Sequence, residues 1–139
     1  MHPLQARRYT ARVTSGLANS FSLRLAITAS DPPAGSTAAD PRLWAARIAD
    51  ARDRARRRLR GTPWRLNADV PATELTRRWQ PGPRALAGVS RAIDLGQIRV
   101  PAASQVIRLA WTLTDLAGKQ APGPGECDQA LACHLGISA

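Results

Sequence analysis

From Pro41 onward, the apolar residues recur at intervals of three and four, the spacing of a helix that buries one face. Trp44, Ile48, Ala51, Ala55 and Leu59 form the first such stripe. Asp40 is the residue type that caps a helix N-terminus, and Pro41 fits a first helical position. The helix is therefore expected to run from Pro41 to about Arg60, with Gly61 closing it. After a loop over 62–70, Leu75 and Trp79 share one face of a short helix, which Gln80-Pro81-Gly82-Pro83 interrupts. Another helix, from near Pro83, carries Leu86, Val89 and Ile93 and ends at Gly96. A longer one from near Pro101 carries Ala103, Val106, Ile107, Ala110, Leu113 and Ala117 and stops at Gly118. The last spans roughly Pro124 to Leu135, with Cys127, Ala130 and Leu131 inward and Gly136 as its C-cap.

About five amphipathic helices on short connections must cover one another's stripes, which predicts a mainly α fold, a small helical bundle. Ahead of it, Phe21, Leu23, Leu25 and Ile27 alternate with Ser22, Arg24 and Ala26, the period of a strand. A lone strand needs a partner for its backbone and its apolar face. The expected organisation is a strand-like N-terminal arm over 1–30, a linker over 31–40 broken by Pro32, Pro33 and Gly35, and a helical domain over 41–139. No internal repeat is visible.

At 139 residues the chain can bury one modest core. With one Tyr and one Phe, the four Trp are the large anchors available to it. Trp44, Trp79 and Trp111 lie on or near apolar stripes and are expected in the core. Trp64 falls in a loop, where stacking on a nucleic-acid base is the alternative.

The net charge is +10, and Lys119 is the only lysine. Codon bias can account for arginine over lysine, but not for the imbalance itself. A small domain this basic attracts polyanions, nucleic acid or acidic protein. The charge is densest on the first helix, where Asp50 and Asp53 oppose Arg42, Arg47, Arg52, Arg54, Arg56, Arg57, Arg58 and Arg60. Folding the apolar stripe inward points Arg52, Arg56, Arg57 and Arg60 outward, which makes them the candidate nucleic-acid contacts. Arg58 sits at the buried edge. The bland reading of the same pattern is a solvated helix face. Any DNA binding is expected to be salt-sensitive and sequence-tolerant, because phosphates carry no base information.

Other chemistries find little support. No run approaches the length of a membrane span, and the first residues lack the apolar stretch of a signal peptide. Cys127 and Cys133, six apart on one helix, point to different faces and cannot bridge locally. A reduced, cytoplasmic setting is the simpler reading. Cys127, Cys133, His134 and the distant His2 do not make a four-ligand zinc set, so no metal site is expected. Asp94 and Asp115 read as helix-surface or capping residues.

Several stretches in order carry a family resemblance. They are RRRLRGTPWRLNADVP (Arg56 to Pro71), RAIDLGQIRV (Arg91 to Val100), VIRLAWTLTDLAG (Val106 to Gly118) and PGPGECDQAL (Pro122 to Leu131). Together, residues 41–131 resemble the C-terminal domain of YifB/ComM-type magnesium-chelatase-like AAA+ proteins, about two-thirds of the chain. Asn67 and Ala68 match the family's R-x-N-A-[ED]-[VM] element directly. Upstream, RRYTARVTSGLANSFSLRL (Arg7 to Leu25) is similar to the end of the family's ATPase core. There Asn19 and Ser20 replace an Asp-Arg pair whose arginine resembles an arginine finger, and Ser22 replaces an aspartate.

The resemblance implies a lid-type helical bundle, with ATP and Mg²⁺ as the cofactors of the full-length family and none for this chain alone. The family's S-x-R-x-x-x-R-x-x-R pattern falls on Arg99, Pro101, Gln105 and Arg108. Arg108 is in register and Arg99 lies two positions early; these are the nucleotide-sensing candidates. The phosphate-cradling G-x-x-x-x-G-K-[ST] is missing: Gly118-Lys119 is preceded five positions earlier by Leu113 and followed by Gln120. The expected function is a C-terminal lid that is not catalytic alone, partnered by a P-loop-bearing AAA+ core chain. The alternatives are a free-standing basic helical nucleic-acid-binding protein and a non-functional gene remnant.

Overall fold

A computed structural model describes residues 21–25 and 40–137. Five α-helices occur among them: α1 Pro41–Arg58, α2 Ala72–Arg78, α3 Ala87–Asp94, α4 Val100–Leu116 and α5 Pro124–Leu135. A 3₁₀ turn, Asn67–Asp69, lies between α1 and α2.

The boundaries follow local chemistry. Asp40 Oδ1 accepts the Arg42 amide at 2.9 Å, and Pro41 occupies the first turn of α1, where its missing N–H costs nothing. Arg56, Arg57 and Arg58 in the last turn face the negative end of the helix dipole. Helix α3 starts later than the sequence pattern predicts. Residues 83–86 form a turn instead, in which the Ala85 and Leu86 amides both bond the Gly82 carbonyl at 2.9 and 3.1 Å. Helix α4 ends at Leu116, and the turn after it is closed by Gly118, whose φ of +71° only glycine adopts without strain, with the Arg54 guanidinium packed beside it. At the start of α5, Glu126 accepts the Gly123 amide at 3.0 Å and the Lys119 ammonium at 2.6 Å. These bonds, the one from Lys119 foremost, hold the Glu126 carboxyl below its ordinary pKa.

Helix α4 is the axis of the bundle, and α1, the 3₁₀ turn, α2, α3 and α5 all pack against it. Its two faces serve two clusters. Ala102, Val106 and Ala110, one turn apart, meet Ala85, Val89, Ala92, Ile98, Cys127 and Ala130. The small side chains let α3 and α5 approach α4 closely. Ile107 and Trp111 meet Leu59, Val70 and Leu75, with Trp64, Trp79 and Leu86 packed around them. The Trp111 indole N–H donates to the Trp79 carbonyl at 2.8 Å, which satisfies its one polar atom.

One expectation is corrected. Trp44 is not in the core: it is 44% exposed and Ile48 is 42% exposed. All of residues 41–50 are exposed, so the stripe is buried only from Ala51 onward, where α1 meets α4. Trp64 lies in a loop, as its position predicts, and packs edge-on against Trp79 at 6.1 Å between ring centroids.

The alternation at 21–27 predicts a strand. Residues 21–25 are irregular, and the Arg24 amide bonds the Cys133 carbonyl at the end of α5 at 2.9 Å. The rest of the expected arm over 1–30, and all of the linker except Asp40, lie outside the described residues. Cys127 and Cys133 are both free thiols, and burial pushes Cys127 up to about 11.

The two-sided use of α4 makes Trp111 the keystone of one cluster. Trp111→Ala is expected to cost about 3–5 kcal/mol, by cavity formation together with loss of the indole bond. Urea unfolding followed by circular dichroism measures this. A midpoint unchanged from the parent would mean that the helix faces the other way.

Candidate functional site

Below the last two turns of α1, one carboxylate gathers the polar groups of three elements. Asp115 lies four residues after Trp111 on α4, on the same face, and its side chain is 3% exposed. Arg58 approaches it from α1, with Nη1 donating to Oδ1 at 2.6 Å and Nη2 to Oδ2 at 2.7 Å, a bidentate fork. The Arg58 side chain is itself only 16% exposed, and its guanidinium carbon sits 4.2 Å from the Trp111 ring centroid. The 3₁₀ turn supplies the third member. Asn67 Nδ2 donates to Asp115 Oδ2 at 3.0 Å and to Thr112 Oγ1 at 3.2 Å, while Asn67 Oδ1 accepts Arg58 Nη2 at 2.7 Å. One turn earlier on α1, Arg54 Nη1 donates to the Asp115 backbone carbonyl at 2.9 Å, a carbonyl that also accepts the Gly118 amide at 3.2 Å. A buried charge persists only when paired and hydrogen-bonded, and here both ions are.

The nucleotide-sensing candidates are not brought together. Arg108 is part-buried, with Nε donating to the Val70 carbonyl at 2.9 Å and Nη1 near Ser104 Oγ at 3.4 Å. Its guanidinium thus ties the segment between the 3₁₀ turn and α2 to α4, and burial lowers its pKa. Arg99 is the N-cap residue of α4 and is exposed. Nine positions of helix put the two about 13 Å apart along the axis and half a turn around it.

The candidate nucleic-acid contacts Arg52, Arg56, Arg57 and Arg60 are all exposed. Helical geometry spreads Arg52, Arg56 and Arg57 over a solvent-facing arc of roughly 140°, and Arg60 follows in the turn after α1. Arg56 pairs with Asp53 at 2.9 Å, a surface contact. Arg57 reaches a polar cleft of about 370 Å³ that it shares with Arg54, Arg58, Lys119 and Gln120. Arg52 borders a second, apolar groove of about 290 Å³, lined by Ile48, Ala51, Ala55, Leu66, Ala68 and Leu116 among others. The exposed Leu43, Trp44 and Leu66 add apolar surface on the elements that border it. Among the described residues no group of three His, Cys, Asp or Glu side chains is placed to hold a metal ion, and no helix is long and apolar enough to cross a membrane.

The sequence family described as "Magnesium chelatase, subunit ChlI C-terminal" matches residues 40–134. The chain belongs to this family. The match takes in α1 to α5 and every member of the Asp115 network. Uncharacterized proteins of Mycobacterium bovis and of two Mycobacterium tuberculosis strains are each 36% identical to the chain over 85 residues. That stretch is 61% of this chain and 17% of each relative, so the chain spans only a small part of the curated proteins it matches. No solved structure matches the chain.

Within this magnesium-chelatase C-terminal domain, Asp115 corrects the sequence reading. It is a buried hub rather than a surface or capping residue. Arg58 lies at the buried edge, as its position on the helical wheel predicts. That Arg58 and Asp115 meet is not legible in the sequence, because 57 residues separate them.

Removing one partner leaves the other buried and unpaired. Asp115→Ala is expected to destabilise the fold by about 3–5 kcal/mol, a large share of the roughly 5–15 kcal/mol a small domain holds. The double variant Arg58→Met/Asp115→Leu should lose clearly less than Arg58→Met and Asp115→Leu lose singly when added together. Denaturant titration of the cycle measures this, and additive losses would mean that the pair is not coupled.

Proposed function

We propose that this domain is the lid of a YifB/ComM-type magnesium-chelatase-like AAA+ ATPase and works on a P-loop-bearing core rather than as a catalyst by itself. The observation that carries the reading is the unfinished face of α1. Its apolar stripe continues for two turns past the core, through Ile48 and Trp44, beside the groove lined by Leu66 and Leu116. An exposed apolar strip continuous with a core is the mark of a surface that another body covers. The family match supports the lid assignment, and the Asp115 network supplies the rigidity that a relay between nucleotide and neighbour needs. ATP and Mg²⁺ belong to the core in this reading, and the lid holds neither by itself.

The test is ATP turnover by the purified chain alone and with a P-loop-bearing magnesium-chelatase-like core from the same source. The chain alone is expected to match the buffer blank. The mixture should show altered core turnover and a complex on size exclusion, and Trp44→Asp/Ile48→Asp should abolish both. Turnover by the chain alone, or a core indifferent to it, would overturn the reading.

A second reading, nucleic-acid binding, is favoured by one observation. Arg52, Arg56, Arg57 and Arg60 all point to solvent, and Arg56 alone of the four makes an ion pair among the described residues. Replacing the four with Gln should weaken binding to duplex DNA about equally for all sequences and reduce the salt slope by about one unit per lost contact. Titrations of labelled duplex at two salt concentrations check this. Affinity unchanged by the fourfold replacement would leave the arginines as a solvated face.

A further inference from the structure

The polar cleft of about 370 Å³ beside the Asp115 network carries more positive charge than the fold uses. Four cations line it: Arg54, Arg57 and Arg58 from α1, and Lys119 from the turn after α4. The i, i+3, i+4 spacing sets the three arginines side by side on one helix face, where like charges repel. The carboxylate in the lining, Asp115, is fully engaged, since Arg58 takes both of its oxygens and Asn67 also bonds Oδ2. Lys119 is matched by Glu126 at 2.6 Å. Asp50 and Asp53 precede Arg54 and Arg57 by four residues but form no ion pair with them; Asp53 pairs with Arg56. Arg54 and Arg57 are therefore left without a counter-ion among the described residues. Helices α1 and α4 both end here, and their dipoles bring roughly half a negative charge each, about one charge against the two unmatched arginines.

The second observation is the placement of Arg54. It is half-buried, and its one hydrogen bond among the described residues runs from Nη1 to the neutral Asp115 carbonyl, which leaves Nε and Nη2 without an acceptor. A guanidinium partly withdrawn from water favours an anion. That bond, with Gly118 packed against the guanidinium, holds the group in place before any ligand arrives, which lowers the cost of ordering it. Gly118-Lys119 is the dipeptide that closes a phosphate-binding loop, but here it follows a helix instead of opening one. Its amides are already used, Gly118 donating to the Asp115 carbonyl at 3.2 Å and Lys119 to the Thr114 carbonyl at 3.0 Å. An anion in this cleft is therefore held by side chains and not by a backbone cradle.

We propose that this cleft seats one phosphate group, from a nucleic-acid backbone or as the free ion, with the Arg54 and Arg57 guanidiniums, the Lys119 ammonium and the Gln120 amide donating to its oxygens. The donors come from two elements, α1 and the turn between α4 and α5. A planar carboxylate meets one such fork at a time, whereas a tetrahedral phosphate presents oxygens to both. Lys119 keeps donors free for this after its bond to Glu126, since an ammonium has three. Arg57 also belongs to the exposed arginine arc of α1, so a nucleic-acid backbone that follows the arc reaches the cleft through it. The inference does not rest on the lid reading, and it shares only Arg57 with the nucleic-acid reading.

The experiment is an NMR titration of the full chain with inorganic phosphate at constant ionic strength, read at the Arg54 and Arg57 Nε–H signals and the Gly118, Lys119 and Gln120 amides. Saturable shifts confined to these groups are expected. Arg57 and Gln120 are exposed and make no side-chain hydrogen bond among the described residues, so replacing them spares the fold. Arg57→Gln removes a charge-assisted contact and Gln120→Glu sets a carboxylate against the ligand; each should weaken phosphate about tenfold. Arg84→Gln, at an exposed residue outside the cleft, should not. A labelled DNA duplex that displaces phosphate, and whose own affinity falls with Gln120→Glu, assigns the group to a nucleic-acid backbone; phosphate binding that the duplex does not contest assigns the free ion. Non-saturable shifts, or phosphate affinity unchanged in both Arg57→Gln and Gln120→Glu, would overturn the proposal. DNA binding lost in the fourfold arginine replacement, in a chain that shows no phosphate binding and is indifferent to Gln120→Glu, would keep the nucleic-acid reading and overturn this one.

Discussion

The bidentate contact between Arg58 and Asp115 is the constraint on which the arrangement of this domain depends. It joins the end of α1 to the end of α4, and through Asn67 it also fixes the 3₁₀ turn. Two ions taken from water do not by themselves stabilise a small fold, because desolvation offsets much of their attraction. What they impose is geometry. A guanidinium fork accepts one orientation of carboxylate, and Trp111 beneath it accepts one position of the guanidinium. Helix α1 is thereby held in one register against α4, whereas its alanine-rich stripe alone would tolerate sliding by a turn.

That register sets the remainder of α1. With Ala51, Ala55 and Leu59 turned into the bundle, Arg52, Arg56, Arg57 and Arg60 face solvent, and Ile48 and Trp44 run off the edge of the core. One helix thus divides into a packed half, a cationic arc and an apolar overhang. The α1 register presents the arc and the overhang at once without either disturbing the core.

Helix α4 resolves a second problem, how a chain of few aromatics builds a core. Its Ala102–Val106–Ala110 face gains contact by close approach to α3 and α5, and its Ile107–Trp111 face gains it by bulk against Leu59, Val70 and Leu75. The two ends of α4 meet different neighbours. The C-terminal end meets arginine donors from α1, and the N-terminal end opens onto a cavity lined by Arg99 and His134 among others. Arg108 lies between them, and its bond to the Val70 carbonyl keeps the second cluster closed.

Much of the fold was legible in local pattern. Helix periodicity, the Asp40-Pro41 start, and the glycines after α1, α4 and α5 mark elements through nearest-neighbour chemistry, which needs no knowledge of the rest of the chain. The ordered run of stretches from Arg56 to Leu131 likewise carries the resemblance to the magnesium-chelatase C-terminal family in the sequence itself. What tertiary structure alone decided was burial and partnership. Trp44 sits on the same stripe as Leu59, and nothing in the spacing says that the bundle stops short of it. Asp115 looks like any helix-surface acid until Arg58, 57 residues away, is seen to close on it. His134 was weighed as a zinc ligand, yet its place in the cavity wall depends on α4 and α5 lying side by side. Pattern along a chain records which face of an element is apolar; which neighbour covers that face, and how far, is a property of the packed whole.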